Sequence, residues 1–369
     1  MHSRLLARLE EEARASSDRV AWARSVCRAA SHYARQGLAN EAAIAISSVR
    51  QAFGNELDGE VAAWLMLAEG IAQFSAGDHL AALDRIRRAD AVAVALNAER
   101  AKPTCAAWLG HIAFNLSDFD EMLRHTERAL KDAATSDHQA LGRASLVMAD
   151  AYHYSGHFAL ARPWYDAARL HATTEGDEAM LAAVLHNVAA FRAVNVLLAH
   201  ALGECLPDEA HRASLEARSA ANYDAAIGTR SFHSLTALLA GQLLLAEERA
   251  QDAMHRLSSV KIESLPRRLH AVLLSDLALC ALKTGSSGEA QELTRKALAA
   301  AEIQMDDDDA AYVWSRLSTL HRAFGDERSA AVMVSNASEA MQRLNSLRSS
   351  LRLQLDSCAH LLRTGHAPE

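Results

Sequence analysis

The chain has 369 residues, half of them apolar, with 5% aromatics and five prolines, a mixture that favours helices and starves strands. A formal net charge of −8 and a pI near 6.1 exclude a broad basic surface for phosphate backbones. Five cysteines, an odd number with no C-x-x-C, argue against a disulfide framework or a zinc site and for buried free thiols.

The N-terminal stretch "MHSRLLARLEEEARASSDR" alternates charges and lacks an apolar core, so it does not read as a signal peptide. No uncharged run approaches the roughly 18 residues of a membrane span. The cytoplasm is the expected compartment. Positive charge comes mostly from arginine, with only five lysines, as GC-rich bacterial codon usage would give.

From residue 19 onward the chain repeats at a period near forty. Helix, polar turn and second helix recur in units near 19–53, 60–96, 101–134 and 138–174. An enlarged unit near 178–227 follows, then 231–261, 266–302 and 308–343. Residues 345–363 are expected to cap the last unit, leaving 364–369 as a loose tail. Turn markers stand at Gly37, Gly77, Ser117 and Gly156, then at Glu248, Gly285 and Gly325. Seven residues before each marker the side chain is small: Ala30, Gly70, Gly110, Ala149, Gly241, Ala278 and Ser318. Glycine inside a helix costs about 1 kcal/mol relative to alanine. Its presence at three of these positions predicts close helix crossings within each hairpin. Five residues after each marker stand Ala42, Ala82, Met122, Ala161, Ala253, Ala290 and Ala330. Twelve after it stand Val49, Ala89, Ala129, Ala168, Val260, Ala297 and Ala337.

At these residues the pattern resembles the tetratricopeptide repeat (TPR). "WLGHIAFNLSDFDEMLRHTERAL" carries the Leu-Gly pair Leu109–Gly110, the aromatics Phe114 and Phe119, and the closing Ala129–Leu130. "YHYSGHFALARPWYDAA" carries Gly156, Phe158, Ala161, Tyr165 and Ala168, and Trp314, Leu317 and Ala330 fit the last unit. The units exceed the usual repeat of about 34 residues, so the match is to longer, degenerate repeats like those of bacterial regulators. The resemblance implies an all-α, right-handed superhelical solenoid of about eight hairpins in a single domain over residues 1–363, with a C-terminal capping helix.

It also implies a concave groove lined by the first helix of each hairpin. Groove candidates are Arg24, Ser31, Arg35, Trp64, Phe74, His111, Phe114, Asn115, Asp150, His153, Tyr154, Gln242, Arg316 and Arg322. The lysines of a chaperone-tail carboxylate clamp are missing, which excludes that specificity. In the enlarged unit, "EAMLAAVLHNVAAFRAVNVLLAHALG" is apolar yet holds His186, Asn187, Arg192, Asn195 and His200. Asn187, Phe191 and Asn195 share one helix face, placed toward the groove by the period. Paired amides there suit the backbone of an extended peptide.

Other motifs resolve into structure. Asp306–Asp309 sits where aspartates complement a helix dipole, without the spaced glycine of a calcium loop. "KTGSSGEA" falls at a turn and lacks the partners of a penicillin-binding site. "HYSGH" gives His153 and His157 a weak metal spacing. The expectation is therefore a non-catalytic scaffold or regulator without metal or cofactor, binding a protein or peptide in its groove. The alternative is a sensor whose shape changes on binding a small effector. A homodimer is open; nucleic acid and membrane are not expected partners.

Overall fold

In the computed structural model, which describes residues 3–54, 58–204, 206–229 and 231–358, the regular structure among the described residues is entirely helical. α1 (Arg4–Ala15) precedes the repeats. Then follow α2 (Arg19–Arg35) and α3 (Ala39–Phe53), α4 (Gly59–Ser75) and α5 (His79–Ala95), α6 (Ala101–Asn115) and α7 (Phe119–Asp132), and α8 (His138–Tyr154) and α9 (Phe158–Glu175). Next come α10 (Glu178–Ala201) and α11 (Pro207–Ile227), α12 (His233–Ala246) and α13 (Ala250–Ser258), and α14 (His270–Lys283) and α15 (Ser287–Ala300). α16 (Asp307–Ala323) and α17 (Glu327–Ser357) close the series.

One backbone device makes the turns. Every marker residue has positive φ: 78° at Gly37, 87° at Gly77 and Gly156, 86° at Gly285 and 80° at Gly325, with Ser117 at 58° and Glu248 at 60°. The next residue's N–H reaches back to a carbonyl in the last helical turn, as from Asp118 to Ala113 and from Arg249 to Leu244, both at 2.9 Å. This closes the exposed helix end. The same residue can then start the following helix. Asp78, Asp118 and Asp326 each accept a first-turn N–H through the side chain, at 3.1, 3.3 and 3.0 Å. Gly203, at φ 88°, closes α10 in the same way. That turn was absent from the sequence markers.

The small-residue column lies at the crossings. A Cβ on Gly70 would meet Ile86 Cγ1 at 2.4 Å, one on Gly110 would meet Thr126 Oγ1 at 2.5 Å, and one on Gly241 would meet Leu257 at 2.5 Å. In each case the obstacle is on the second helix of the same hairpin. Ala30, Ala149 and Ala278 are fully buried at the equivalent positions. The third column holds except at Val260, which falls beyond the short α13 and is half-buried.

The chain divides into two compact units: Met1–Val184, Ala225–Ser231 and Ser350–Glu369 form unit 1, and Leu185–Asp224 with Phe232–Ser349 form unit 2. In unit 1, the first helices α2, α4, α6 and α8 pack in succession around a core that includes Trp64, Leu67, Ile71, Ile86 and Trp108. α1 docks Leu5, Leu6 and Leu9 against Ala29 and Tyr33 of α2. The end of α17 also belongs to unit 1, where Arg352 donates to the Ser155 carbonyl at 2.9 Å and Gln354 to Asp120 at 2.8 Å. In unit 2, α12, α14 and α16 pack in succession.

α17 runs unbroken to Ser357, so the segment expected as a cap from residue 345 continues the last second helix. Residues 359–369, which include the expected tail, lie outside the described residues. α10, with a mean hydropathy of 1.6 in its apolar window, is long and apolar enough to cross a membrane by length and composition. Arg192 stands in its middle, paired with Glu216 of α11 at 2.7 Å.

Candidate functional site

Within unit 2, successive first helices enclose a cavity of about 150 Å³. α10 contributes His186, Ala190, Val194 and Leu197, a three-to-four spacing that puts all of them on one face. α12 adds Leu235, Leu238, Leu239 and Gln242. Leu269 and Val272, at the start of α14, meet Asp308, Asp309 and Tyr312 of α16 on the remaining wall. Aliphatic side chains dominate, and the few polar groups are ones that fix orientation.

Beside this cavity lies a buried polar network. Asp276 is fully buried and accepts the Tyr312 hydroxyl proton at 2.5 Å. The Arg316 guanidinium lies 4.9 Å over the Tyr312 ring and donates to its oxygen at 3.1 Å, while Arg316 Nε sits 3.5 Å from Asp276. Gln242 hydrogen-bonds Asp276 as well. Burial pushes the Asp276 carboxyl upward, and Arg316, Tyr312 and Gln242 oppose that. Arg316 also donates to His200 Nδ1 at 2.8 Å. An accepting Nδ1 leaves the proton on Nε2, which faces Glu248 at 3.3 Å. Burial first, then Arg316, push His200 down to about 4. His186 stacks on Phe232 with ring centres 4.5 Å apart, and burial pushes it down to about 4.

The acidic run opens α16 as expected: Asp307, Asp308 and Asp309 occupy its first turn. Carboxylate oxygens of Asp306, Asp308 and Asp309 lie within 4.8 Å of one another. Arg268 already answers them, 2.7 Å from Asp306 and 3.1 Å from Asp309. Burial raises the Asp308 and Asp309 carboxyls above the usual range, and the neighbouring aspartates add to it.

Unit 1 carries an aromatic strip on its first helices. Phe74, Trp108 and His111 meet edge to face at 5.0–5.7 Å. Arg143, 5% exposed, places its guanidinium 4.3 Å over Trp108 and forms no ion pair among the described residues. Burial, with Arg35 nearby, brings it down to about 9. The same burial, with Arg143 next, holds His111 well below its ordinary value. Asp150 accepts from the Tyr165 hydroxyl at 2.9 Å, with His153 Nδ1 3.2 Å from that oxygen. Phe114 and Tyr154 meet edge to face at 6.1 Å.

No family model matches the sequence, and no curated protein does. Among solved structures, a Rap protein complexed with Competence and Sporulation Factor aligns over 93% of this chain and 92% of its own, at 13% identity and a TM-score of 0.56. The apo form of RapI aligns over 92% of each chain at 12% identity and a TM-score of 0.49. A signal transduction ATPase with a tetratricopeptide repeat sensor, from Pyrococcus horikoshii, aligns over 94% of this chain and 54% of its own, at 12% identity and a TM-score of 0.49. The fold is TPR-like.

On this TPR-like frame the residues singled out from sequence separate into groups. Gln242 lines the unit 2 cavity, and Arg316 braces Tyr312 in its wall. His111, Phe114, Asp150, His153 and Tyr154 lie together on the first helices of unit 1. Asn187, Phe191 and Asn195 are not among the cavity-lining residues; the adjacent face of α10 is, through His186, Ala190 and Val194. Asn195 is exposed. Arg192 ties α10 to α11 through Glu216. Asn115 is exposed and donates to its own helix at the His111 carbonyl, 2.9 Å away. Arg322 reaches Glu327 across a turn at 3.8 Å. Sequence reasoning missed Tyr312 and Arg143. Tyr312 stands four residues before Arg316 and Arg143 seven before Asp150, so helical spacing from a recognised residue would have found both.

Proposed function

We propose that the chain is a non-catalytic scaffold or regulator that binds a peptide or protein segment on the first-helix faces of its hairpins. The observation that carries this reading is the unit 2 cavity, assembled from α10, α12, α14 and α16. Its volume of about 150 Å³ suits one apolar side chain, an anchor of the kind that dominates peptide recognition. Tyr312, held by Asp276 and Arg316, gives the wall a fixed shape, and Asp308 and Asp309 offer acceptors to a donor flanking the anchor. The likeness to a Rap protein solved with Competence and Sporulation Factor supports a regulator that receives a signal. Buried free thiols at Cys27, Cys105 and Cys280 fit a reducing bacterial cytoplasm.

A second reading rests on the same volume. An apolar cavity of about 150 Å³ also holds a small ring-sized compound, which would make the chain a sensor of a small effector. One experiment addresses both. Peptides are selected against the wild type from a random library and measured again on Leu239→Trp, which fills the cavity. The expected result is at least a tenfold loss of affinity with the thermal midpoint retained. Selected peptides that bind the filled variant equally well sink the anchor reading. A small apolar compound that stabilises the wild type alone, with no peptide selected, favours the sensor.

A further inference from the structure

Unit 1 contains a larger and chemically different cavity, of about 700 Å³. Small-molecule sites typically span about 300–1,000 Å³. Five arginine and lysine side chains line its wall against four carboxylates. Arg8 and Arg28 converge on a single oxygen of Glu175, at 2.5 and 2.6 Å, and Arg8 also lies 3.6 Å from Glu12. Arg24 finds its carboxylate partner only at 3.5 Å, on Glu60. Lys102 donates to the neutral Asn97 amide oxygen at 3.1 Å. Arg100 has no ion pair among the described residues.

The carboxylates on the wall differ in setting. Glu99 and Asp132 are exposed to solvent, as is Arg100. Asp137 accepts the Ala140 N–H at 3.2 Å as the cap of α8, and burial pushes its carboxyl upward, toward the neutral form.

Trp64 stands on the same wall. This wall residue is 4% exposed, and its indole N–H is buried with no acceptor. The indole nitrogen is covered by the chain, so Trp64 senses the cavity from its wall without reaching into it. An oxyanion in the cavity answers the unpaired Arg100 and the ammonium of Lys102.

We propose that this cavity binds a small oxyanion, a carboxylate or phosphate compound held by Arg24, Arg100 and Lys102 beside Trp64. The site lies within unit 1 and does not depend on peptide binding at the unit 2 cavity.

The test uses the indole N–H as reporter on the full chain. Five tryptophans give five indole signals in a ¹⁵N-labelled sample, and the one lost in Trp64→Phe belongs to Trp64. Citrate and inorganic phosphate are titrated separately against sodium chloride at matched ionic strength. The expected result is a saturable shift of the Trp64 signal with at least one of the two. Arg100→Gln weakens the apparent affinity at least fivefold, whereas Arg249→Gln in unit 2 leaves it unchanged. A response to citrate alone assigns a carboxylate ligand, and a response to phosphate alone a phosphoryl group. No shift beyond that of chloride overturns the proposal. So does a shift that persists undiminished in both Arg100→Gln and Lys102→Gln, each checked for the remaining four indole signals.

Discussion

Gly110 concentrates the packing argument in one missing methyl group. Alanine would gain about 1 kcal/mol of helix propensity there. Its Cβ would also lie 2.5 Å from Thr126 Oγ1 and 3.3 Å from the Met122 carbonyl oxygen. Overpacking of this kind costs about 1–3 kcal/mol, so Gly110→Ala is expected to lower urea stability by about 1–2 kcal/mol. Thr126 Oγ1 is buried without a hydrogen-bond partner, so trimming it sacrifices no bond. Thr126→Ala should therefore rescue Gly110→Ala, and a double mutant no better than the single would disprove the crossing contact. The Arg316–Asp276 pair obeys a different rule. Arg316→Met strands a fully buried carboxylate beside Tyr312. Breaking such a pair costs about 3–5 kcal/mol. Asp276→Asn in the same chain removes the stranded charge, so the double mutant should be more stable than Arg316→Met alone. Strict additivity in a denaturation cycle would contradict the network.

At the level of elements, seven turns were legible because left-handed backbone selects for glycine and the next residue must close one helix and open another. Ser117 and Glu248 occupy that conformation with a side chain, at φ 58° and 60°. A side chain in this region costs about 1–2 kcal/mol. Ser117 is exposed, so Ser117→Gly is expected to raise stability by about 1 kcal/mol, readable as a higher urea midpoint at unchanged slope. Glu248→Gly should gain less, because Glu248 also faces His200 and pairs with Lys283. The turn at Gly203 escaped because the forty-residue period places it near residue 196, while α10 carries no breaker and runs on to Ala201. Likewise nothing between Met341 and Ser357 interrupts α17. α1 lay outside the repeat, although the spacing of Leu5, Leu6 and Leu9 marks a buried helix face. The cavity face was lost for another reason. Four-residue spacing makes Asn187 and Asn195 share a face without fixing where it points, and His186, Ala190 and Val194, about 100° round the helix, line the cavity.

For the whole molecule, acid stability follows from groups held out of their ordinary charge state. His186 and His200 are both pushed down to about 4. Between about pH 6.5 and 4 the unfolded chain binds protons at these positions and the folded chain does not. Stability at these histidines is therefore full near neutrality and declines as pH falls through that window. Asp224 works in the opposite direction. Burial raises its carboxyl to about 6, so its contribution is present at low pH and fades as pH rises from about 3.8 to 6. Asp308 and Asp309, raised by burial on the wall of the His186 cavity, share that opposing sign. A wild-type midpoint profile thus mixes opposing contributions, and a difference between two chains isolates one of them. His186→Phe keeps an aromatic ring against Phe232 and removes the proton site. Its thermal midpoint relative to the wild type should rise steadily as pH is lowered from 7 to 4.5, whatever its offset at neutrality. Parallel profiles would mean that His186 accepts its proton in the folded chain as readily as in the unfolded one, and that the cavity wall does not exclude its charge.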